Sequence, residues 1–348
     1  MTSARTESVL LIGYFLSQTA GTPGPSEDLA ERLAGRGWRV WTSSSRRGRA
    51  ARVADMAATV WRRRKQYTVA HVEVYSGVRF LWAEAVCRLL RRAGKPYVLG
   101  LHGGALPEFA HRNPARVRSL LKSARAVVTP SRYLLEAMRP YRSDLVLLPN
   151  PIELARYRFQ PRDRAGPRLI WLRSFHRVYD PALAPQVVAR LAGEFPDVRL
   201  VMYGADKKDG SLEETRQAAE TLGVAGRVTL PGPVDKRLVP ETLAGADIFL
   251  NTSRVDNAPV SVVEAMACGL CIVSTNVGGI PHLAEHEEEA LLVPPGDAEA
   301  MAGAVARLLR EPALASRLSR AARAKAEQFD WSAALPAWEG LLEAAARA

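Results

Sequence analysis

Two doubly wound α/β domains facing across a cleft are the fold class this sequence predicts, and three observations predict it. Short apolar runs that stop at a glycine or a polar loop, such as Ser8 to Gly13, suit strands buried on both faces of a parallel sheet. Between such runs lie longer helical patterns, and that alternation builds βαβ units. The alternation restarts after a stretch rich in Arg, Pro and Gly, residues 155–167, and a chain of 348 residues is long for one core and comfortable for two. The first domain is expected over residues 1–155 and the second over residues 156–330.

Taken in order, Ser8 to Gly13 is the first strand. A loop with Gly21 and Gly24 leads to a helix opened by Ser26, Glu27 and Asp28, an N-cap followed by acids in the first turn. Trp38 to Thr42 supplies a strand, residues 50–65 an arginine-rich helix, and Val69 to Val74 a strand with His71 in its middle, read as a packed or hydrogen-bonded histidine. The helix Val78 to Arg92 is amphipathic and is expected to bury Phe80, Leu81, Val86 and Leu89. Strand Tyr97 to Leu101 ends at His102-Gly103-Gly104. The carboxyl end of such a strand is where open α/β sheets collect ligand groups, and glycines there let backbone come close to a bound molecule. Ala126 to Thr129 and Leu145 to Leu148 are further strands, with Ser131 capping the helix between them. In the second half, strands are expected at Arg168 to Leu172, Val198 to Tyr203, Val228 to Leu230 and Leu291 to Val293. Helices are expected at Pro181 to Ala192, Leu212 to Leu222, from Asp297 as cap to Arg310, at Ala313 to Glu327 and at Trp331 to Ala346.

Composition narrows the function classes. Hydrophobic content of 47% with 24% charged residues is that of a globular chain in water. No apolar run approaches the roughly 20 residues that span a bilayer, and the N-terminus lacks a signal-peptide pattern, so a cytoplasmic protein is expected. Three cysteines fit a reducing compartment. Cys268 and Cys271 form a lone CxxC, open to readings as a redox pair, half a metal site or plain packing. A redox pair wants its first thiol at a helix start, whereas Cys268 falls at a helix end before Gly269, which favours packing. A net charge of +12 calls for an anionic partner or a solvated basic surface. Arg62, Arg63, Arg64 and Lys65, then Arg88, Arg91, Arg92 and Lys95, carry much of it. Few aromatics interleave with them, which speaks against nucleic acid and leaves an anionic membrane face, at the inner side of the cell membrane, as the functional alternative.

The most informative stretch is Asp247 to Leu283. It reads as strand, polar loop, short helix, glycine stop, strand and glycine loop. Pro259 suits a first helical turn, and the amides of Val260 and Ser261 would then offer an anion free donors and the positive end of the helix dipole. Asp256 lies in the loop and Glu264 about a turn into the helix. Carboxylates beside an anion site are pure acceptors, suited to ligand hydroxyls, so a phosphate joined to sugars accounts for both features.

DNAPVSVVEAMACG resembles the signature of the retaining GT-B glycosyltransferases of family 4, in which two glutamates separated by seven residues accompany an EAMACG-type helix. TPSRYLLEAM, LPNPIEL (similar to a PNGID-type exit from the first domain) and HGG resemble further segments of that family. FDW with the terminal helix, residues 331–348, resembles a segment that crosses back onto the first domain. The resemblance implies two Rossmann-like domains and transfer of a sugar from a nucleotide-diphosphate sugar, UDP- or GDP-linked, to a hydroxyl of a saccharide, glycolipid or lipid-linked glycan. It implies retention at the anomeric carbon, with no metal and no resident cofactor.

Carried over residue by residue, His102, Asp256 and Glu264 take the catalytic positions. Glu264 would hold the ribose hydroxyls, Asp256 those of the donor sugar, one methylene shorter than the family's glutamate, and His102 would lie beside the transferred sugar. Arg173 would bind the diphosphate. Where the family adds a lysine this chain has Val178, and Arg177 is the nearest cation. Gly204, Val234, Asn257, Ala258, Pro259, Val260 and Ser261 complete the donor site, and Gly21, Thr22, Gly103 and Gly104 belong to acceptor-side loops. A sugar-nucleotide epimerase and a non-catalytic scaffold of the same fold are the competing classes.

Overall fold

The computed structural model describes residues 7–13, 15, 25–44, 46 and 48–347. The chain divides into two compact units, residues 1–150 with 332–348, and residues 151–331.

The first unit is built on a six-stranded parallel sheet in the order β2-β1-β3-β4-β5-β6. Its elements are β1 (Ser8–Ile12), α1 (Pro25–Gly35), β2 (Arg39–Ser43), α2 (Arg49–Arg62), β3 (Val69–Val74), α3 (Val78–Arg92), β4 (Tyr97–Leu101), α4 (Leu106–Arg112), α5 (Pro114–Lys122), β5 (Ala126–Thr129), α6 (Arg132–Met138) and β6 (Leu145–Leu147). Every residue of β1, β3 and β4 is buried, as apolar runs between helical layers require. The helix pair α4 and α5 falls where the sequence pattern predicts no element. Each is short, and Pro114 opens the second just after Asn113. In α3 the buried face is Phe80, Ala83, Glu84, Val86, Cys87 and Leu90, while Leu81 is 47% exposed and Leu89 only partly buried. The expected face was therefore rotated: the helix turns on Phe80, Ala83, Cys87 and Leu90, the three-and-four spacing of one stripe.

The second unit repeats the plan, with six parallel strands ordered β12-β11-β10-β7-β8-β9. They are β7 (Arg168–Leu172), β8 (Arg199–Tyr203), β9 (Val228–Gly232), β10 (Ile248–Asn251), β11 (Cys271–Thr275) and β12 (Ala290–Val293). The helices are α7 (Leu183–Leu191), α8 (Ser211–Thr221), α9 (Val239–Ala244), α10 (Val260–Ala267), α11 (Ile280–Leu283), α12 (Ala298–Arg310) and α13 (Pro312–Ala326). Strand order reverses between β7 and β10, and the ends of these two central strands carry the candidate residues. Asp297 caps α12 by accepting from the Ala300 amide at 2.8 Å. Cys268 and Cys271 are buried free thiols, pushed up to about 12 by burial, which is packing rather than redox chemistry.

The terminal helix α14 (Trp331–Arg347) returns to the first unit. Its Glu339 accepts from Trp38 Nε1 at 3.2 Å and pairs with Arg36, and its Trp338 packs edge-on to His71, with ring centroids 5.1 Å apart.

Candidate active site

In the second unit the site grows from the carboxyl ends of β7 and β10. Arg173 follows β7, and its Nη2 is 2.7 Å from Asp256 Oδ2. The guanidinium also lies over the Tyr179 ring, 4.0 Å from its centroid, a cation–π contact. Asp256, 7% exposed, accepts in addition from Ser253 Oγ and the Asn257 amide, each at 3.0 Å. The two loops are tied beneath this pair: Trp171 Nε1 donates to Thr252 Oγ1 at 2.9 Å, and that hydroxyl donates to the Tyr179 carbonyl at 2.6 Å. Arg254 adds a second tie, its amide to the Val178 carbonyl and its Nε to Asp180.

Three glycines let these backbones meet. A Cβ at Gly204 would fall inside the contact radius of the Arg173 carbonyl oxygen, and Cβ atoms at Gly278 and Gly279 would do the same to the carbonyls of Asp256 and Asn257. All three clashes are with backbone, which cannot swing aside as a side chain can. The glycine loop after β11 is thus a buttress for the acidic loop after β10.

Glu264 stands on α10, 7% exposed, and accepts from the Tyr157 hydroxyl at 2.6 Å. Burial, and then the neighbouring carboxylate, raises the Tyr157 phenol, so it stays protonated and donates. Pro259 is the residue before the helix, with ψ of 115°, and the helix proper begins at Val260, one residue later than expected. Among the described residues no side-chain cap is formed at this end. Two polar atoms here are buried without a hydrogen-bond partner among the described residues, Arg173 Nε and Ser261 Oγ. The free amides of a helix start are what an oxygen-rich ligand would satisfy.

The remaining expected donor residues sort differently. Asn257 is buried, and Ala258 lies half-buried in the same loop. Arg177, the expected second cation, instead pairs with Glu214 of α8 at 2.5 Å and is mostly exposed. Its backbone explains this: its amide donates to Asp209 at 2.8 Å, on the same side as α8. Val234 is half-buried against the apolar cluster around α9 and α10. His176 accepts from the Val178 amide at 3.1 Å, a turn-forming contact.

In the first unit, His102 follows β4. Its amide donates to the Val74 carbonyl at 2.9 Å, and its ring stacks on Tyr75, centroids 5.2 Å apart and 24° from parallel. Burial lowers its affinity for a proton, and Glu73 partly opposes this. Glu73 accepts from Ser26 Oγ and, at 3.4 Å, from the Tyr75 hydroxyl, and it lies against Gly13, where a Cβ would meet its carboxylate at 2.5 Å. Gly103 takes a positive φ of 89°, and the Gly104 carbonyl accepts from Tyr133 at 3.4 Å. Gly21 and Thr22 lie outside the described residues.

Sequence reasoning passed over Tyr157, Ser253, Tyr179 and Glu73 as site residues. Tyr157 lies in the Arg-, Pro- and Gly-rich stretch before the second run of strands and helices, where nothing local marks it. Glu73 did leave a signal, a charged residue in a strand otherwise fit for complete burial.

Comparison with known proteins matches each part of the chain to a known family. The family "Glycosyl transferases group 1" matches residues 158–325, and "Glycosyltransferase Family 4" matches residues 15–156. The D-inositol 3-phosphate glycosyltransferase of Rhodococcus opacus is 29% identical over 266 residues, 70% of this chain and 58% of that protein. Its counterpart in Mycolicibacterium paratuberculosis is 33% identical over 154 residues, 43% of this chain and 35% of that one. The chain thus spans little more than half of one curated relative and about a third of the other. Sucrose-phosphate synthase from Thermosynechococcus elongatus shares the fold with a TM-score of 0.81 at 20% identity, over 97% of this chain and 98% of that one. Anabaena HepE in complex with UDP and glucose does so with a TM-score of 0.76 at 18% identity, over 97% and 100%. With both of its parts matched by family descriptions, and with the paired six-stranded parallel sheets of its fold, the chain belongs to the GT-B glycosyltransferases of group 1, family 4.

Proposed function

We propose that the protein transfers a sugar from a nucleotide-diphosphate sugar to a hydroxyl of a saccharide or lipid-linked acceptor, with retention at the anomeric carbon. The observation that carries this reading is the start of α10, set between the buried carboxylates of Asp256 and Glu264, with Arg173 paired to the first of them. A diphosphate would take the Val260 and Ser261 amides and the charge of Arg173. Leaving-group charge grows on the diphosphate in the transition state, so these donors lower the barrier most when already in place. Tyr157 holds Glu264 for the ribose hydroxyls, and Asp256 serves the donor sugar. His102 is assigned to the transferred sugar on the strength of its motif. On this reading these side chains carry the chemistry, with no metal or resident cofactor assigned to it.

UDP is the first nucleotide to try, since HepE was solved with it. The relatives' name places an anionic cyclitol beside saccharides and lipid-linked glycans as acceptors to test. The basic first unit, with Trp61 48% exposed next to Arg62, Arg63, Arg64 and Lys65, supports docking on an anionic membrane face from the cytoplasmic side. No helix among the described residues is long and apolar enough to cross a membrane.

Thermal shift against a panel of UDP- and GDP-sugars tests the donor, because a ligand that binds only the folded state raises the melting temperature. One donor should stand out, and Glu264→Gln should abolish the shift. Turnover of that donor without any acceptor would instead indicate an epimerase, and the absence of a shift with every donor would overturn the reading.

A further inference from the structure

Where β10 and β11 end, the second unit buries a run of polar side chains. Asn251, Ser253, Ser274 and Thr275 are all 0% exposed, and polar groups so placed are kept by hydrogen bonds. The parallel register sets Asn251 beside Ser274. The Ser274 hydroxyl donates to the Thr275 carbonyl at 3.1 Å and accepts from Asn251 Nδ2 at 2.9 Å. That contact orients the Asn251 amide, so its Oδ1 faces Ser253, 2.8 Å from Oγ. Thr275 Oγ1 donates to the Ser253 carbonyl at 2.6 Å and anchors the backbone about which the hydroxyl turns.

Ser253 thus meets two acceptors with one hydrogen. Its Oγ stands 2.8 Å from Asn251 Oδ1 and 3.0 Å from Asp256 Oδ2, and a hydroxyl has a single O–H to give. Charge favours Asp256, since a bond to an ionised acceptor is the stronger, while distance favours Asn251. The two directions therefore compete closely. The carboxylate, meanwhile, is nearly full. Its two oxygens offer about four lone-pair sites; Arg173 Nη2 and Ser253 Oγ take Oδ2, and the Asn257 amide takes a site on Oδ1. The place that is left suits one sugar hydroxyl, whereas an adjacent pair of hydroxyls needs a second. Arg173 is held on Oδ2 by charge. Ser253 is free to leave, because Asn251 receives its hydrogen.

We propose that Ser253 is a positioning residue that holds Asp256 in the absence of ligand and turns its hydrogen to Asn251 when a vicinal pair of donor-sugar hydroxyls docks on that carboxylate. Each group gains one partner as it gives up another, so no buried O–H or carboxylate site is stranded during the exchange. Asn251, and Ser274 behind it, act only through Ser253. The inference deepens the donor-site reading and rests on the assignment of Asp256 to the transferred sugar.

The test reads the sugar apart from the nucleotide. UDP with UDP-glucose is the first pair of probes and GDP with GDP-mannose the second, and the ratio of dissociation constants within a pair, measured by calorimetry, isolates the sugar. Asn251→Leu keeps the size of the side chain and removes the second acceptor, which locks the Ser253 hydrogen onto Asp256. Nucleotide affinity should stay unchanged, and the gain from the sugar should fall about tenfold, the factor for one hydrogen bond of average strength. Ser253→Ala added to that variant empties the contested place and should recover part of the gain, whereas two merely structural losses would accumulate. A neutron structure of the wild type serves if the variants do not fold: the Ser253 hydrogen should point to Asp256 without ligand and to Asn251 with the sugar probe bound. A hydrogen that keeps one direction in both states overturns the proposal, as does an unaltered sugar gain in folded Asn251→Leu, or a deeper loss in the double variant. Nucleotide binding with no gain from either sugar removes the role given to Asp256, and the proposal with it. A wild type that binds none of the four probes counts against the glycosyltransferase reading, and a ligand-free hydrogen on Asn251 would then overturn the hold on Asp256 separately.

Discussion

Asp256→Asn removes the charge from the carboxylate that Arg173 grips, and the structure sets the size of the effect. Both side chains are largely enclosed, 15% exposed for Arg173 and 8% for Asp256, so solvent screening is weak. Breaking a buried ion pair from one side costs about 3–5 kcal/mol. The low end applies, because the amide oxygen can keep one of the three hydrogen bonds and Tyr179 still covers the guanidinium. A loss of about 3 kcal/mol corresponds to roughly 6–12 °C in melting temperature for a unit of this size. In an Arg173→Met background the same substitution should cost only about 1 kcal/mol, since no stranded cation remains. Calorimetry with UDP supplies the second arm: Arg173, freed from Asp256, should bind the diphosphate at least as tightly as before, while sugar transfer falls. Equal unfolding midpoints for wild type and Asp256→Asn, or equal costs in the two backgrounds, would refute this account of the pair.

Three further outcomes are expected. Gly204→Ala should cost roughly 3 kcal/mol, at the top of the range for overpacking, because its methyl meets the Arg173 carbonyl; urea unfolding measures the cost, and the variant should also lose UDP affinity. Tyr157→Phe removes a hydrogen bond to a carboxylate, worth about 1.5–3 kcal/mol, and should raise the donor KM with little change in turnover if Glu264 serves the ribose. His71 makes acid destabilising: its pKa is depressed from the ordinary 6.5 to about 3 in the folded state. The unfolded chain therefore binds the extra proton in that window, and stability falls as pH drops from 6.5 toward 3, by up to about 1.4 kcal/mol per unit. His71→Phe should flatten that limb in urea titrations at several pH values, and an identical slope would show that other groups produce it.

Much of the fold was legible because its strands are buried on both faces and its helices on one, so apolar runs and periodicities coincide with elements. Val69–Val74, Val78–Arg92, Tyr97–Leu101, Ala126–Thr129 and Arg168–Leu172 run between the residues their patterns predict. The pair α4 and α5 escaped because they span only 7 and 9 residues, too little chain for a periodicity to stand out. Leu81 was misplaced because a leucine and its neighbours on an arginine-rich helix define a stripe only to within one residue, and packing against the sheet selects which stripe is buried.

The chemistry divides in the same way. Residue type and spacing along the chain determined that Asp256 and Glu264 flank a helix start, that Arg173 ends a strand, and that His102 precedes two glycines, because these are short-range facts. What each group does in the folded state came from residues far away in sequence. Tyr157 orients Glu264 from 107 positions away, and Arg173 meets Asp256 from 83. Arg177, adjacent to the site in sequence, is turned to Glu214. The physical reason is that hydrogen bonds and ion pairs between side chains are set by which strand ends the sheet brings together, and strand order is a property of the whole packed unit. Only the tertiary structure could decide that Gly204, Gly278 and Gly279 are the points where the site's backbones touch.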